Sequence, residues 1–512
     1  MAISNPGGLL NSVPASQQVA LTTNYIDFTS TGAASANWGQ QYLPELMEKE
    51  AEVFGPRTIS GFLSKVGAEE SMSSDQVIWS EQGRLHLSYK GKIVTGDTND
   101  GADAGTGVTT MVTIETDIDG NAVTTNHGIR VNDTVIIANS AGVHKCLVVT
   151  AAAATATIDV APYDAGSGSG LIADSNDGSS CTILVYGSEF SKGVSYMTGG
   201  AATTQTDSRR ANEPQFKTFT NKPIIMKDYY EVSGSDTGRI GWVEVASEQG
   251  QSGYLWYLKA ESDTRARFND YLEMAMLESE LGTTDSLLDG SNNLPHTTAA
   301  TAGNFGTEGL FQAINKRGNI TSGISGVNAA TDLAEFDLIL AEFDKQGAIE
   351  EYMMFVNRAT SLAMDDMLAS MNSYGAGGTS YGVFDNDEDM ALNLGFSGFR
   401  RGSYDFYKSD FRYLNDKATR GSINDANAAE AIRGVMIPAG VSTVYDQTMG
   451  KNLKRPFLHV RYRASQTDNR KMKTWTTGSV GAATSALDAM QLHFLTERCL
   501  IVQGANNFMM MK

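Results

Sequence analysis

Apolar and polar positions follow two rhythms along this chain, one of period two and one of period near 3.6. The period-two rhythm comes first. Val77-Ile78-Trp79 and Leu85-His86-Leu87-Ser88-Tyr89 read as strands within residues 76–92, and a second extended run covers Gln215 to Val232, with Phe216, Phe219, Ile224, Ile225, Tyr229 and Tyr230. Between these runs lies a segment of different character, residues 93–190, rich in Thr, Val, Ala, Gly and Asp and poor in helix signals. Within it Val108 to Ile114, Val131 to Ala138, Lys145 to Thr150, Thr155 to Val160 and Cys181 to Tyr186 each read as a short strand, separated by Gly, Asn and Asp. Such a series predicts a small barrel or sandwich set into a hairpin. Gly166-Ser167-Gly168-Ser169-Gly170 reads as a loop tip.

The helical rhythm is clearest over residues 253–281. Ser252 is placed to cap that helix and Gly282 to end it. Tyr257, Ala260, Thr264, Phe268, Tyr271 and Ala275 fall on one face, and Glu261–Arg265 and Asp263–Arg267 are i,i+4 pairs in the favourable order. The helix would be about 43 Å long, and the small residues at its middle predict a close neighbour there. Further on, Thr331 is the expected cap of a helix to Gln346, with Leu333, Phe336, Leu340 and Phe343 on one face and Gly347 as its stop. Glu351 to Val356 reads as a buried strand, and Asn357 leads into a helix bearing Leu362, Met364, Met367 and Leu368. That is an α/β unit. Shorter strands are expected at 392–414 and 434–446.

The last stretch alternates strictly. Leu458, Val460 and Tyr462 point one way, and His459, Arg461 and Arg463 the other. Ser485 to Val502 reads as one long strand or two, ending at Ala505-Asn506-Asn507-Phe508. At the other end, residues 1–40 are small and polar and read as an extended arm. Gln41 to Phe54, with Leu43, Leu46 and Met47, reads as a short amphipathic helix closed by Gly55-Pro56.

Composition narrows the function. The 512 residues are 41% hydrophobic and 19% charged, a globular balance in a chain long enough for several structural units. Glycine is frequent (52) and proline scarce (10), which suits turns and bulges in a sheet-rich protein. A net charge of -20 repels nucleic acid unless positive charge is locally concentrated. The three cysteines, Cys146, Cys181 and Cys499, form no CxxC and cannot all pair, which fits a reducing compartment. Cys146 and Cys181 could pair if they lie on neighbouring strands. The start of the chain lacks the pattern of a signal peptide, and no apolar run reaches the length of a membrane span, so a soluble product and no membrane partner are expected.

Candidate chemistry is sparse. His86, His127, His144, His296, His459 and His493 show no metal-ligand spacing. The glycines at 166–170 lack the Lys-Ser/Thr of a phosphate loop. Asp117-Ile118-Asp119-Gly120 and Asp385-Asn386-Asp387-Glu388-Asp389 are acidic loops without the closing ligand of a calcium loop. Asp365 and Asp366 would point about 100° apart on a helix, which does not suit acid–base work. No nucleophile-elbow, zinc-protease or kinase motif occurs. The segment Lys451 to Lys473 is basic: Lys451, Lys454, Arg455, Arg461, Arg463, Arg470, Lys471 and Lys473 against Asp468. It would face either DNA or an acidic neighbouring subunit, and in the second case Arg–carboxylate pairs would set register between copies.

The order of these pieces resembles the major capsid proteins of tailed bacteriophages, the Hong Kong 97-like fold. That family has an extended arm, a hairpin, one long helix, an α/β domain and returning strands. Phe355-Val356-Asn357 before a helix is similar to the family's strand-then-Asn step. Asp488 to Phe508, with Glu497-Arg498 before Cys499-Leu500-Ile501-Val502, is similar to its closing strands, which commonly carry an acidic/Arg pair before a final apolar run. The resemblance implies an α+β chain divided as follows: arm and short helix at 1–66; E-loop hairpin at 67–92 and 191–235; an inserted all-β domain at 93–190; P domain at 236–325 with its spine helix at 253–281; A domain at 326–450; and returning strands at 451–512. The insertion departs from the minimal family pattern.

By that resemblance the chain is expected to be a structural protein, with no enzymatic activity, cofactor or metal. It would assemble with itself into hexamers and pentamers around double-stranded DNA that it does not read. Portal, scaffolding and decoration proteins would be its partners. It would be built in the host cytoplasm and end in the virion. An encapsulin-type nanocompartment shell is the alternative within the same architecture. A β-rich secreted carbohydrate-active enzyme is the alternative from another class.

Overall fold

The structure is a computed structural model that describes residues 68–94, 110–164, 180–193, 216–237, 245–246, 252–253, 256–282, 306–371, 398–439, 441–446 and 451–512, with Leu85, Ala141, Ala348 and Ala482 excepted. The expected arm, the helix at 41–54, Gly166–Gly170, His296 and Asp385–Asp389 lie outside the described residues. The chain is mixed α+β and divides into two compact units, residues 77–220 and residues 1–76 with 221–512.

The first strand, β1 (Ala68–Met72), belongs to the larger unit. The smaller unit opens with β2 (Val77–Gln82), which forms a two-stranded ribbon with β9 (Phe216–Asn221). Between them β3 (Ser88–Val94), β4 (Thr110–Asp117), β5 (Asp133–Asn139), β6 (Gly142–Ala152), β7 (Thr157–Pro162) and β8 (Ser180–Ser188) close into a barrel in the order β3-β4-β7-β6-β5-β8. Period-two alternation fills its interior with Ile93, Val112, Val135, Val148, Val160 and Ile183, all fully buried. The barrel takes in β3, whose start at Ser88 lies five residues before the expected boundary at 93.

Local chemistry sets its turns. Asp117 accepts hydrogen bonds from the backbone N–H and the side-chain amide of Asn121, both at 2.8 Å, while Asp119 pairs with Arg84 at 3.0 Å. The acidic loop 117–120 is thus a turn whose carboxylates are already engaged. Cys146 and Cys181 are both buried and free, because β6 and β8 flank β5 on opposite sides and never meet. Gly91 sits at a bulge between β3 and β4, where a Cβ would stand 2.2 Å from the carbonyl oxygen of Thr113.

In the larger unit, β10 (Ile224–Ser233) is followed by the short β11 (Val245–Ala246) and β12 (Ser252–Gly253) and then by helix α1 (Trp256–Glu278). Ser252 is therefore a strand residue and not the expected cap. The buried face of α1 is Thr264, Phe268, Leu272, Met276 and Leu277; Tyr271 is 46% exposed. The stripe runs through Leu272 and Met276 and not through Tyr271; Ala275 is partly buried against the same core, and the expected small residue Thr264 is buried beside the large Phe268. The large aromatic side chain of Tyr271 is thus not part of the buried stripe. Glu261 pairs with Arg265 at 3.6 Å as expected, but Arg267 reaches across to Asp228 on β10, also at 3.6 Å.

Helix α2 (Leu310–Arg317), which the sequence reading did not include, leads into β13 (Asn319–Thr321). Helix α3 (Ala329–Gln346) is capped by Asn328, whose side chain accepts from Thr331 N–H, and it ends at Gly347 with φ 65°. The cap thus lies three residues before Thr331. Then come β14 (Glu351–Val356), helix α4 (Arg358–Met371), β15 (Gly398–Arg401), β16 (Tyr404–Asp410), helix α5 (Arg420–Ala426), β17 (Gly434–Pro438), β18 (Val441–Asp446), β19 (Lys451–Pro456), β20 (Leu458–Arg463), β21 (Lys473–Gly478), β22 (Ala489–Val502) and β23 (Met509–Met511).

Two sheets organise this unit. The six-stranded sheet runs β13-β23-β17-β14-β16-β15, with β14 parallel to β16 and antiparallel to β17. Tyr352, Met354 and Val356 on one face pack with Phe336 and Phe343 of α3 and Met364 and Met367 of α4. Phe343 and Tyr352 stack at 4.4 Å. Asp365 turns inward to Lys408 of β16. The opposite face, with Phe355, Val435 and Met510, shares a second core with α1, α2 and Leu458, Val460, Leu500 and Val502 of the five-stranded sheet. Asn221, fully buried, ties this core together: its amide donates to the carbonyls of Glu308 (3.0 Å) and Leu500 (2.6 Å), and its oxygen accepts from Glu308 N–H (2.9 Å).

Two outcomes are expected. Gly91→Ala lowers the stability of the barrel by about 2 kcal/mol or more, because the obstructing atom is backbone, whereas Gly83→Ala, with nothing near, is close to neutral; urea titration compares them. Burial pushes the Cys146 and Cys499 thiols up to about 12 and Cys181 up to about 11. At about pH 8 the folded protein therefore shows no free-thiol reaction, and denaturant releases all three. Rapid labelling of the native chain would contradict this packing.

Candidate functional site

From Arg461 to Lys473 the basic segment lies along one side of β22 in the five-stranded sheet, whose order is β1-β20-β22-β10 with β21 also on β22. Strand β22 carries β10 along one side. Along the other it carries β20 and then β21 in tandem. Residues 464–472 leave the ladder between those two strands. They stay bonded to it, since Arg470 N–H donates to Arg463 O (2.9 Å) and Glu497 N–H to Arg470 O (3.0 Å). Outside β20, β1 adds in parallel, Ala68 opposite His459 through Met72 opposite Arg463.

Carboxylates distant in sequence meet the cations here. Glu70 pairs with Arg461 at 2.8 Å. Glu69 pairs with Arg498 at 3.1 Å and with Lys471. Arg463 meets Asp75 and, at 2.8 Å, Glu497. Glu497 also holds Arg470 at 2.8 Å, and Asp468 holds Lys473 at 2.8 Å. Six cations thus face five carboxylates, and the local positive excess is largely neutralised within the chain. Lys451, Lys454 and Arg455 lie on β19, which pairs with β18.

Two members are buried and carry most of the electrostatic weight. The Glu497 side chain is 5% exposed between two guanidinium groups. The Arg498 side chain is 9% exposed. Arg498 donates to the Lys471 carbonyl through Nε and Nη2 and to Thr496 through Nε. Burial pulls the Arg498 guanidinium below its ordinary value, and the charges of Glu69 and Glu273 push it back up. A buried cation is tolerated where carboxylates and several acceptors replace water. Apart from Met72, which touches Cys499 at 3.9 Å between sulfurs, the side-chain contacts of β1 are mainly ionic.

Beyond this cluster, the same sheet shows an aromatic row. Trp475 stacks on His493 (5.1 Å), and His493 stacks on Tyr229 (6.1 Å). Thr477 and His493 share a hydrogen bond of 2.7 Å. A shallow pocket of about 260 Å³ beside Trp475 is lined by Asp468, Arg470, Lys473 and Leu495. Of the other described histidines, His127 and His459 are buried and His86 is exposed. Among the described residues, no group of three His, Cys, Asp or Glu side chains is placed to hold a metal.

The sequence gives the cations but not their partners. Ala68-Glu69-Glu70-Ser71-Met72 holds two adjacent acids before an extended run, which is a weak signal in itself. Only a parallel register some 390 residues apart turns them into a match for Arg461 and Arg498.

No family model matches the chain, and no curated protein matches it. Among solved structures it is similar to a chain from Microbacterium phage Oxtober96, with TM-score 0.37 and 8% identity over 90% of each chain. It is similar to the chain described as the asymmetric unit of the bacteriophage PhiM1 mature capsid, with TM-score 0.31 and 8% identity over 61% of this chain and 78% of that one. It is also similar to the capsid structure of the cyanophage P-SCSP1u, with TM-score 0.31 and 7% identity over 61% and 79%.

The cluster generates a graded expectation. Glu497→Gln leaves two arginines facing a neutral amide and lowers stability by on the order of 2–3 kcal/mol. Glu69→Gln, whose carboxylate is 32% exposed, costs about 1 kcal/mol or less, and that cost shrinks at high salt. Urea titrations at low and high ionic strength check the order and the salt dependence.

Proposed function

We propose that this chain is the major capsid protein of a tailed bacteriophage, a structural subunit and not an enzyme. It assembles as hexamers and pentamers into an icosahedral shell around double-stranded DNA. The observation that carries this reading is the ribbon of β2 and β9. Among the described residues no third strand pairs with it, and Ile78 on it is 64% exposed. A two-stranded ribbon is marginal by itself, and unpaired edges invite other chains. Exposed apolar side chains elsewhere support the same reading: Val327 at 74%, Leu338 at 68%, Leu362 at 54% and Ile423 at 55%.

Under this reading the ribbon is the E-loop, α1 the spine helix of the P domain, and the sheet bearing α3 and α4 the A domain. The barrel is then an accessory domain inserted into the hairpin. The acidic net charge lets DNA pack inside without adhering. The basic segment from Lys451 to Lys473 is then the part of the chain that sets register against an acidic neighbouring subunit. Portal, scaffolding and decoration proteins are the partners expected in the host cytoplasm, and the virion is the final location.

The test is assembly of the full chain, expressed alone and with its neighbouring genes, followed by sedimentation velocity and negative-stain microscopy. Closed particles with fivefold and sixfold capsomers are expected. A chain that stays monomeric in every condition would sink the proposal.

A further inference from the structure

The barrel has two unlike exteriors. On β3, β4 and β7 the outward positions include Lys90, Lys92, Glu115 and Asp159, and Lys92 pairs with Glu115 at 2.6 Å. That wall is suited to water. On the wall of β6, β5 and β8, the register sets Val143 beside Ala138, and Lys145 beside Ile136 and then Leu184. Val143 is 65% exposed, Leu184 39%, Tyr186 50% and, at the end of β7, Tyr163 50%. Outward alternation in a barrel that stood alone in water would place polar residues at these positions.

The same wall holds one central cation and one acid at its end. Lys145 and Glu189 line a single open pocket of about 500 Å³, together with Tyr163, Tyr186 and Thr134. Tyr163 donates its hydroxyl to Glu189. A surface with a cation, an acid and two protruding rings around a hollow is complementary to itself. A twofold axis through the hollow would set each Lys145 toward the other copy's Glu189 and each tyrosine ring toward the other copy's hollow. Tyrosine supplies large, rigid contact area at low entropic cost, which suits it to the centre of such a contact. The balanced charges of the wall select neither a strongly acidic nor a strongly basic partner.

We infer that the β6-β5-β8 wall is a contact between barrels of two copies of this chain, closed by reciprocal Lys145–Glu189 pairs. The inference rests on the shell reading, which supplies the second copy at high local concentration.

The test uses the full chain. Isotope-labelled and unlabelled protein are mixed, assembled and treated with a carbodiimide, which joins a lysine to a carboxylate in direct contact. Mass spectrometry then reads Lys145–Glu189 peptides. Links that join labelled to unlabelled chains are expected. Leu184→Lys, at an outward position that leaves the barrel interior intact, should lower their yield about tenfold or more. Circular dichroism and thermal unfolding confirm that this variant is folded. Particles that form normally with only same-chain links, or with a yield unchanged by Leu184→Lys, overturn the barrel contact and leave the shell reading standing. Absence of both particles and mixed links overturns both.

Discussion

Strand β22 must satisfy hydrogen bonds on both edges and cover on both faces, and most of the larger unit follows from that demand. From Phe494 to Val502 every residue is buried. Its far edge needs β10, and its near edge needs β20 and β21 in succession. One face needs α1, which supplies Phe268 against Phe494 at 5.8 Å. The apolar end, Leu500 and Val502, needs the core beneath the six-stranded sheet. Within this run sit two charges, Glu497 and Arg498, that no apolar neighbour can satisfy. The loop at 464–472 and strand β1 supply the opposite charges. The cluster at the sheet edge is therefore a condition for burying β22 as much as a feature of the surface.

Much of this was legible in the sequence where periodicity was strong and local. The barrel strands, α3 with its glycine stop, and strand β14 lie within a few residues of their expected places, because alternation and turn residues need no distant partner. Caps were less legible. Asn328 and Thr331 are both good caps, and only backbone geometry chooses between them. Tyr271 and Leu272 are neighbours on α1, and the choice of the buried one depends on what lies opposite, which no local pattern carries. The short helix α2 escaped because eight residues give too few turns to establish a period. The basic segment was visible, yet its neutralisation was not, since Glu69 and Glu70 arrive through a parallel pairing that leaves no local trace.

The two units manage exposed surface differently. The larger unit hides its charges in reciprocal pairs and its apolar residues between two sheets. The barrel completes its own interior with aliphatic side chains and then presents apolar groups outward on one wall. A closed barrel has no free strand edge, so association through it must use side chains on its walls. The ribbon of β2 and β9 has free edges among the described strands and can associate through backbone hydrogen bonds instead. The barrel and the ribbon thus differ in what they expose: apolar side chains on one wall of the barrel, and on the ribbon strand edges that no other described strand pairs.

The strand order also dictates a timetable during synthesis. The barrel lies within one contiguous stretch, and every strand it needs has left the ribosome once Ser188 emerges. In the six-stranded sheet, β23 sits between β13 and β17, so that layer stays incomplete until Met511 is made. Domains fold as units as they emerge, the N-terminal ones first. A nascent chain on a polysome therefore carries a finished barrel beside an unfinished larger unit. A contact that needs only the barrel is available from that point, whereas one that needs the six-stranded sheet must wait until Met511 has emerged.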